Sequence, residues 1–405
     1  METVRPPRIA CKRESVVITR FDGGEEIYAF DHAGRFFTAW RENRLYRRAL
    51  DGRVMEKHTD RRGRHPVKHR RFLDAGERSA LVNDAAAAAR VTLRALRDGT
   101  AELLWALPEP SDRSRADRMV AAAAGFDAEA AEADRQQFEA VYTPVSILPP
   151  DRYLALVVQI TEGCHWNRCT FCSFYRDRAF RVKPLADLTA HLEAIMAFFG
   201  EGLTLRRGVF LGDANALLLP AADLGPRLDL VTRCLPEHTQ DVSAFIDVFT
   251  GHHKGAADFE ALRARGLRRI YMGVETGDDG LLAFLNKPQN AAEAAELVRS
   301  VKAAGLAVGV IAMAGIGGRA YWRRHVEATL DVLGRMALGT GDLVYVSAFT
   351  APATGPYAER ARAEGIAPLD HDAVGDQVEE LLRGAAAVVG LGTRIAPYDI
   401  EEFLY

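Results

Sequence analysis

The chain has 405 residues, 48 % of them hydrophobic and 26 % charged, so it can bury a sizeable core and has room for two domains. No apolar run approaches the 18 residues a membrane span needs, and the first residues carry no signal-like apolar core; together with five cysteines this suggests a reducing, cytoplasmic setting and no membrane. The net charge of −3 excludes a globally basic nucleic-acid binder but hides a gradient, because residues 1–73 hold 18 Lys/Arg against 10 Asp/Glu.

In chain order, Ser15 to Arg20 reads as a short strand, and Glu26–Phe30 with Arg35–Trp40 reads as a β-hairpin around Asp31-His-Ala-Gly34. The run Arg61-Arg-Gly-Arg-His-Pro-Val-Lys-His-Arg-Arg71 follows, either a clamp for phosphate or carboxylate groups or a solvated basic loop. Asp74 to Gly99 and Ser111 to Tyr142 read as helices, the second broken at Gly125 and recapped at Asp127. Thr143 to Asp151 is proline-rich and reads as a linker. The expected division is an N-terminal α+β domain over 1–150, a strand–helix repeat over 151–357, and a helical extension with a tail over 358–405.

Six apolar strands follow the linker at Leu154–Ile160, Gly208–Gly212, Val242–Phe249, Arg268–Val274, Ala307–Met313 and Leu343–Phe349, with helical spans between them. Such alternation predicts an α/β domain with a parallel sheet, open or barrel-like. Directly after the first strand stand Cys164, Cys169 and Cys172, spaced C-x4-C-x2-C. Three thiols on one loop suit three irons of a four-iron cluster whose fourth iron stays open. A zinc loop and plain structural cysteines are the alternatives, although no second ligand pair at zinc spacing lies nearby.

This loop resembles the cluster loop of the radical S-adenosylmethionine (radical SAM) superfamily, C-x3-C-x-aromatic-C, with Phe171 in the aromatic place and one extra residue between the first two cysteines. Further likenesses sit at the carboxyl ends of the strands: Leu211-Gly-Asp-Ala-Asn215, Gly273-Val-Glu-Thr-Gly277 with Leu285-Asn-Lys-Pro288, Met313-Ala-Gly-Ile-Gly-Gly318 and Pro352-Ala-Thr-Gly-Pro-Tyr357. The resemblance implies a partial (β/α)6 TIM-type barrel binding a [4Fe–4S] cluster through Cys164, Cys169 and Cys172. It also implies S-adenosylmethionine (SAM) held by Phe171, Gly212, Asp213, Glu275, Met313 and Ser347.

The implied reaction is reductive cleavage of SAM to a 5′-deoxyadenosyl radical, which abstracts hydrogen from a small-molecule substrate, with an external electron donor of the flavodoxin or ferredoxin type. Modification of RNA or another polymer through the basic N-terminal segment is an alternative, as is a non-catalytic iron–sulfur protein. Cys11 and Cys234 are too few for a second four-thiolate cluster. The stretch Arg394 to Tyr405 ends with Tyr398, Ile400, Phe403, Leu404 and Tyr405, which are costly to leave in water; it is expected to dock and to wall the site.

Overall fold

The alternation seen at Glu26–Trp40 extends much further than one hairpin. The computed structural model describes residues 5–21, 23–104, 110–251 and 253–405; residues 1–4 of the expected N-terminal domain lie outside them, as do 22 and 105–109. Seven strands follow one another as an antiparallel meander: β1 (Arg8–Cys11), β2 (Ser15–Arg20), β3 (Glu26–Asp31), β4 (Phe36–Arg41), β5 (Arg44–Arg48), β6 (Val54–Asp60) and β7 (Val67–Phe72). The two-residue β8 (Glu102–Leu103) joins β1 in parallel, giving eight strands among the described residues.

Helices α1 (Ala75–Arg97), α2 (Pro110–Ala124) and α3 (Ala128–Val141) belong to the same unit. Asp74 starts α1 with a capping box, accepting from the Glu77 amide while the Glu77 side chain accepts from its own. The alanines of α1 do more than favour helix: Ala85, Ala88 and Ala89 are wholly buried, in one core with Ile18, Phe30 and Phe36. Asp134 of α3 accepts from Arg35 at 2.6 Å and Arg48 at 3.0 Å, binding that helix to the sheet by buried, charge-assisted bonds.

The basic run is a strand and turn rather than a loop. Residues 67–71 lie in β7, the edge strand, and 61–66 form the turn from β6. Arg71 pairs with Glu56 and Glu77, and Arg62 with Asp60. Charged side chains on an edge strand discourage a second chain from pairing there, which is a sufficient structural reason for part of this basic character.

The second unit comprises residues 145–192 and 207–403, while 193–206 and 404–405 cluster with the first. Its sheet is parallel: β9 (Leu156–Gln159), β12 (Val209–Gly212), β13 (Val242–Ile246), β14 (Leu267–Glu275), β15 (Ala307–Ala314) and β16 (Leu343–Ala348) match the six expected strands within a few residues. Between β9 and β12 lie the two-residue β10 (Thr161–Glu162), paired with β11 (Arg181–Val182), and helix α4 (Leu185–Phe199).

The remaining crossover helices are α5 (Ala221–Cys234), α6 (Val248–Gly251), α7 (Ala256–Ala264), α8 (Asp279–Phe284), α9 (Ala291–Ala303) and α10 (Gly318–Arg335). Two details differ from expectation. The third strand stops at Ile246, because the Asp247 carboxylate accepts from the Thr250 amide at 2.8 Å and starts the short α6. The tail holds a strand not expected from the sequence: after α11 (Pro356–Ala363) and α12 (His371–Val388), residues Arg394–Tyr398 form β17, parallel to β16. Among the described residues the sheet thus has seven strands, with β9 and β17 at its edges. No helix among them is long and apolar enough to cross a membrane.

At the amino-terminal end of this sheet Asp151 gathers the hydroxyls of Tyr271 and Tyr345 and the guanidinium of Arg269. Replacing Asp151 by Ala strands three donors, two of them on buried tyrosines. We expect a loss of about 2–3 kcal/mol of stability, read as a lower denaturation midpoint; an unchanged midpoint would show that water replaces the carboxylate at no cost.

Candidate functional site

The cysteine loop is an excursion clasped at its base. The β10–β11 pair holds residues 163–180 between its strands, reinforced by Glu162 with Arg181 at 3.0 Å and with Lys183. Gly163 turns the chain there with φ +73°, and a Cβ on it would lie 2.8 Å from the Ala179 carbonyl oxygen, so only glycine fits. Inside the loop the Asn167 amide donates to Cys164 Sγ at 3.3 Å, and Arg176 donates to the carbonyls of Cys169 and Cys172.

A second set of bonds fixes the loop from outside. The Thr170 amide donates to the Leu285 carbonyl, Asn286 Nδ2 to the Arg168 carbonyl, and Trp166 Nε1 to the Asn286 carbonyl, each at 2.9 Å. The Leu285-Asn286 text is therefore a mount for the cysteines. Its next residue, Lys287, donates to Glu275 Oε1 at 2.6 Å and to the Gly273 carbonyl at 2.7 Å.

Glu275 ends β14 in an unusual way. The register between β14 and β15 slips at this point, and Glu275 has φ +63°, a left-handed conformation that a non-glycine residue adopts at a cost. A bulge of this kind re-aims a side chain at the end of a strand. Gly273 leaves the room it needs, because a Cβ there would collide with the Glu275 carboxylate and come within 3.0 Å of Lys287 Nζ.

Behind Glu275, His325 of α10 is fully buried, with Nδ1 2.8 Å from Thr276 Oγ1 and Nε2 2.7 Å from the Met313 carbonyl oxygen. It ties the ends of β14 and β15 together. With the carbonyl able only to accept, Nε2 carries the proton and Nδ1 accepts from Thr276. Burial pushes its pKa down to about 4, so it is neutral at neutral pH.

The sign of the resulting linkage is that of a depressed base: stability is full above the ordinary histidine pKa and falls as pH drops from about 6.5 to 4. We expect this residue to contribute roughly 3 kcal/mol of that loss, and His325→Gln to flatten the pH dependence of unfolding over that window. An identical pH profile in the variant would remove His325 from the account.

Asp213 holds the start of the loop. Its carboxylate accepts from the Gly163 amide and from Gln159 Nε2, both at 3.0 Å, and stands 3.4 Å from Arg178 Nε. Burial raises its pKa, against the lowering effect of these partners. The thiols sit in a similar setting: burial pushes Cys169 up to about 12 and raises Cys172, with the neighbouring thiols adding to both.

Cys169, Cys172, Phe171, Glu275, Met313 and Ser347 line one cavity of about 340 Å³ at the carboxyl ends of the strands. The chemistry of the donor set is soft: three thiols, with an amide N–H already directed at one sulfur, suit iron–sulfur binding. Among the described residues no three His, Cys, Asp or Glu side chains converge on a single-ion site.

Residues 158–331 match the family model described as the radical SAM superfamily. This stretch is a radical SAM domain. Solved structures with a similar fold include coproporphyrinogen III oxidase (HemN) from Escherichia coli, described as a radical SAM enzyme, at 17 % identity and TM-score 0.43, covering 63 % of this chain and 56 % of that one. The radical SAM methyltransferase TsrM from Kitasatospora setae follows at 15 % and 0.40, covering 52 % and 39 %. Methylornithine synthase (PylB) is similar at 14 % and 0.38, covering 59 % and 71 %. The chain thus spans about half the length of the first two, and no curated protein matches it.

Five of the nine residues expected at the site share the cavity from within the radical SAM domain, and Ser347, beyond it, makes a sixth. Cys164, Gly212 and Asp213 are not in its lining, although Ala214 is. Asp213 is turned away by its bonds to Gly163 and Gln159. The lining also includes Lys287, named from the sequence within Leu285-Asn-Lys-Pro288 without a role, together with Asp247, Ile147, Ile400 and Glu401. The signal for Ile400 was present in the apolar character of the last residues.

Proposed function

We propose that this chain is a radical SAM enzyme that binds a [4Fe–4S] cluster through Cys164, Cys169 and Cys172, cleaves SAM reductively and abstracts hydrogen from a small-molecule substrate. The observation that carries the reading is the mount: Leu285 and Asn286 hold the cysteine loop so that Cys169 and Cys172 face the same cavity as Glu275, Met313 and Ser347. When bound, the cluster and SAM supply one-electron cleavage of a sulfonium and a hydrogen-abstracting carbon radical.

The chain's own residues do the rest. Phe171 and Met313 offer apolar surface for the body of SAM, Ser347 a hydroxyl beside it, and Glu275 a carboxylate for its amino group. Lys287 keeps Glu275 correctly aimed through its bond to Oε1, while Asp213 and Gly212 act one step back by fixing the loop. Apolar walls from Phe245, Ile246, Ile311 and Phe349 exclude water and stray polar hydrogen donors. Single-electron supply requires an external donor of the flavodoxin or ferredoxin type.

The test is anaerobic reconstitution with iron and sulfide, followed by SAM and dithionite. Formation of 5′-deoxyadenosine and methionine is expected. A chain with a complete cluster and bound SAM that yields neither product would overturn the reading in favour of a non-catalytic iron–sulfur protein.

A further inference from the structure

The sheet of the second unit is open, with β9 at one edge and β17 at the other. Two contacts bridge that gap. Tyr398, the last residue of β17, donates its hydroxyl to the Leu148 carbonyl, upstream of β9, at 3.0 Å. Phe403 packs on Tyr153 with ring centroids 5.3 Å apart. Tyr398 is 2 % exposed and Leu148 1 %, so this hydrogen bond is sheltered from competing water. The residues flanking the clamp, Ile147 on one side and Ile400 with Glu401 on the other, line the cavity.

The lining is therefore of two kinds. Asp247, Glu275 and Lys287, at the ends of β13 and β14 and beyond α8, are charged and already bonded to one another or to neighbouring residues. Ile311 of β15, Phe349 just beyond β16, and Ile147 and Ile400 of the two clamped segments are apolar, with the charged Glu401 next to Ile400. The segment that carries Ile147 also steadies the cysteine loop, because Ser146 Oγ donates to the Phe174 carbonyl at 2.9 Å and accepts from Arg178 at 2.8 Å, while the segment that carries Ile400 is locked by the buried Tyr398.

We infer that Ile147 and Ile400, held across the open seam by the Tyr398–Leu148 bond, determine substrate choice: they receive the apolar portion of a small organic substrate. This rests on the function proposed above for its chemistry, but its geometry is independent of the metal. Ile147 and Ile400 act by shape; Tyr398 is a positioning residue that keeps the wall in place.

The probe is indole, whose binding to the full chain is followed by saturation-transfer NMR and titration, with iron content per chain as the control for cluster assembly. Ile400→Trp, which fills the wall, is expected to weaken indole binding at least tenfold with iron content unchanged, and Ile147→Ala to weaken it less. Tyr398→Phe removes only the hydroxyl; amide hydrogen exchange over residues 398–403 is expected to speed up at least tenfold, with weaker indole binding. Indole that fails to bind the unaltered chain, or binds Ile400→Trp as well as the unaltered chain, overturns the inference, as does unchanged exchange in Tyr398→Phe. A chain that assembles no cluster overturns the general function instead, and indole binding, which needs no iron, still decides this one.

Discussion

Cys169→Ala is expected to abolish both the broad visible absorbance of a reconstituted cluster and all cleavage of SAM. Three thiolates on a four-iron cluster leave one iron open, and in the proposed cluster each would hold a different iron, so the loss of one would not be made good by the others. Cys169 is also the sulfur nearest in effect to Lys287, whose charge favours its thiolate against the burial that opposes it. Ala and Ser variants of Cys164 and Cys172 should behave alike. An active cluster in Cys169→Ala would mean that another residue is the third ligand.

The second large effect is expected at Asp213. Replacing it by Ala leaves the Gly163 amide without its acceptor and removes the carboxylate beside Arg178, whose side chain is only 11 % exposed. Breaking a buried charge-assisted contact of this sort costs about 3–5 kcal/mol, here taken from the loop that carries the thiols. Iron content after reconstitution should fall to less than half, and the segment 163–180 should become sensitive to proteolysis. Asp213→Asn keeps the size of the side chain and should lose less. The opposite pattern, full iron with weakened SAM binding alone, would place the carboxylate on SAM rather than on the loop.

The strands of the second unit were legible in the sequence because they are buried on both faces and so read as continuous apolar runs, with glycine or polar residues at their carboxyl ends. The cysteines were legible because ligand spacing is a local property. What could not be read depends on partners far away in the chain. Arg44-Leu-Tyr-Arg-Arg48 becomes a strand only because β4 and β6 flank it, and its arginines bond to Glu56 and Asp134. The strand over 394–398 was not foreseen; it contains Pro397, whose missing N–H an edge strand tolerates. Asp213 was placed correctly at the end of its strand, but the direction of its carboxylate is set by Gly163, 50 positions earlier. Lys287 could be recognised as part of a pattern; its bond to Glu275 needed the fold.

The outer mount of the cysteine loop also fixes an order of events. Trp166 and Arg168 are held by Asn286, 120 and 118 positions further along the chain, and contacts between such distant residues form late, since the entropy of closing a long loop must be met first. During synthesis the thiols emerge well before this outer support, and at that stage only the bonds local to residues 161–182 are available to arrange them. On the function proposed above, cluster insertion is expected to follow translation of the chain through Lys287 and the docking of α8. A nascent chain arrested before that point should be unable to retain iron, whatever its supply.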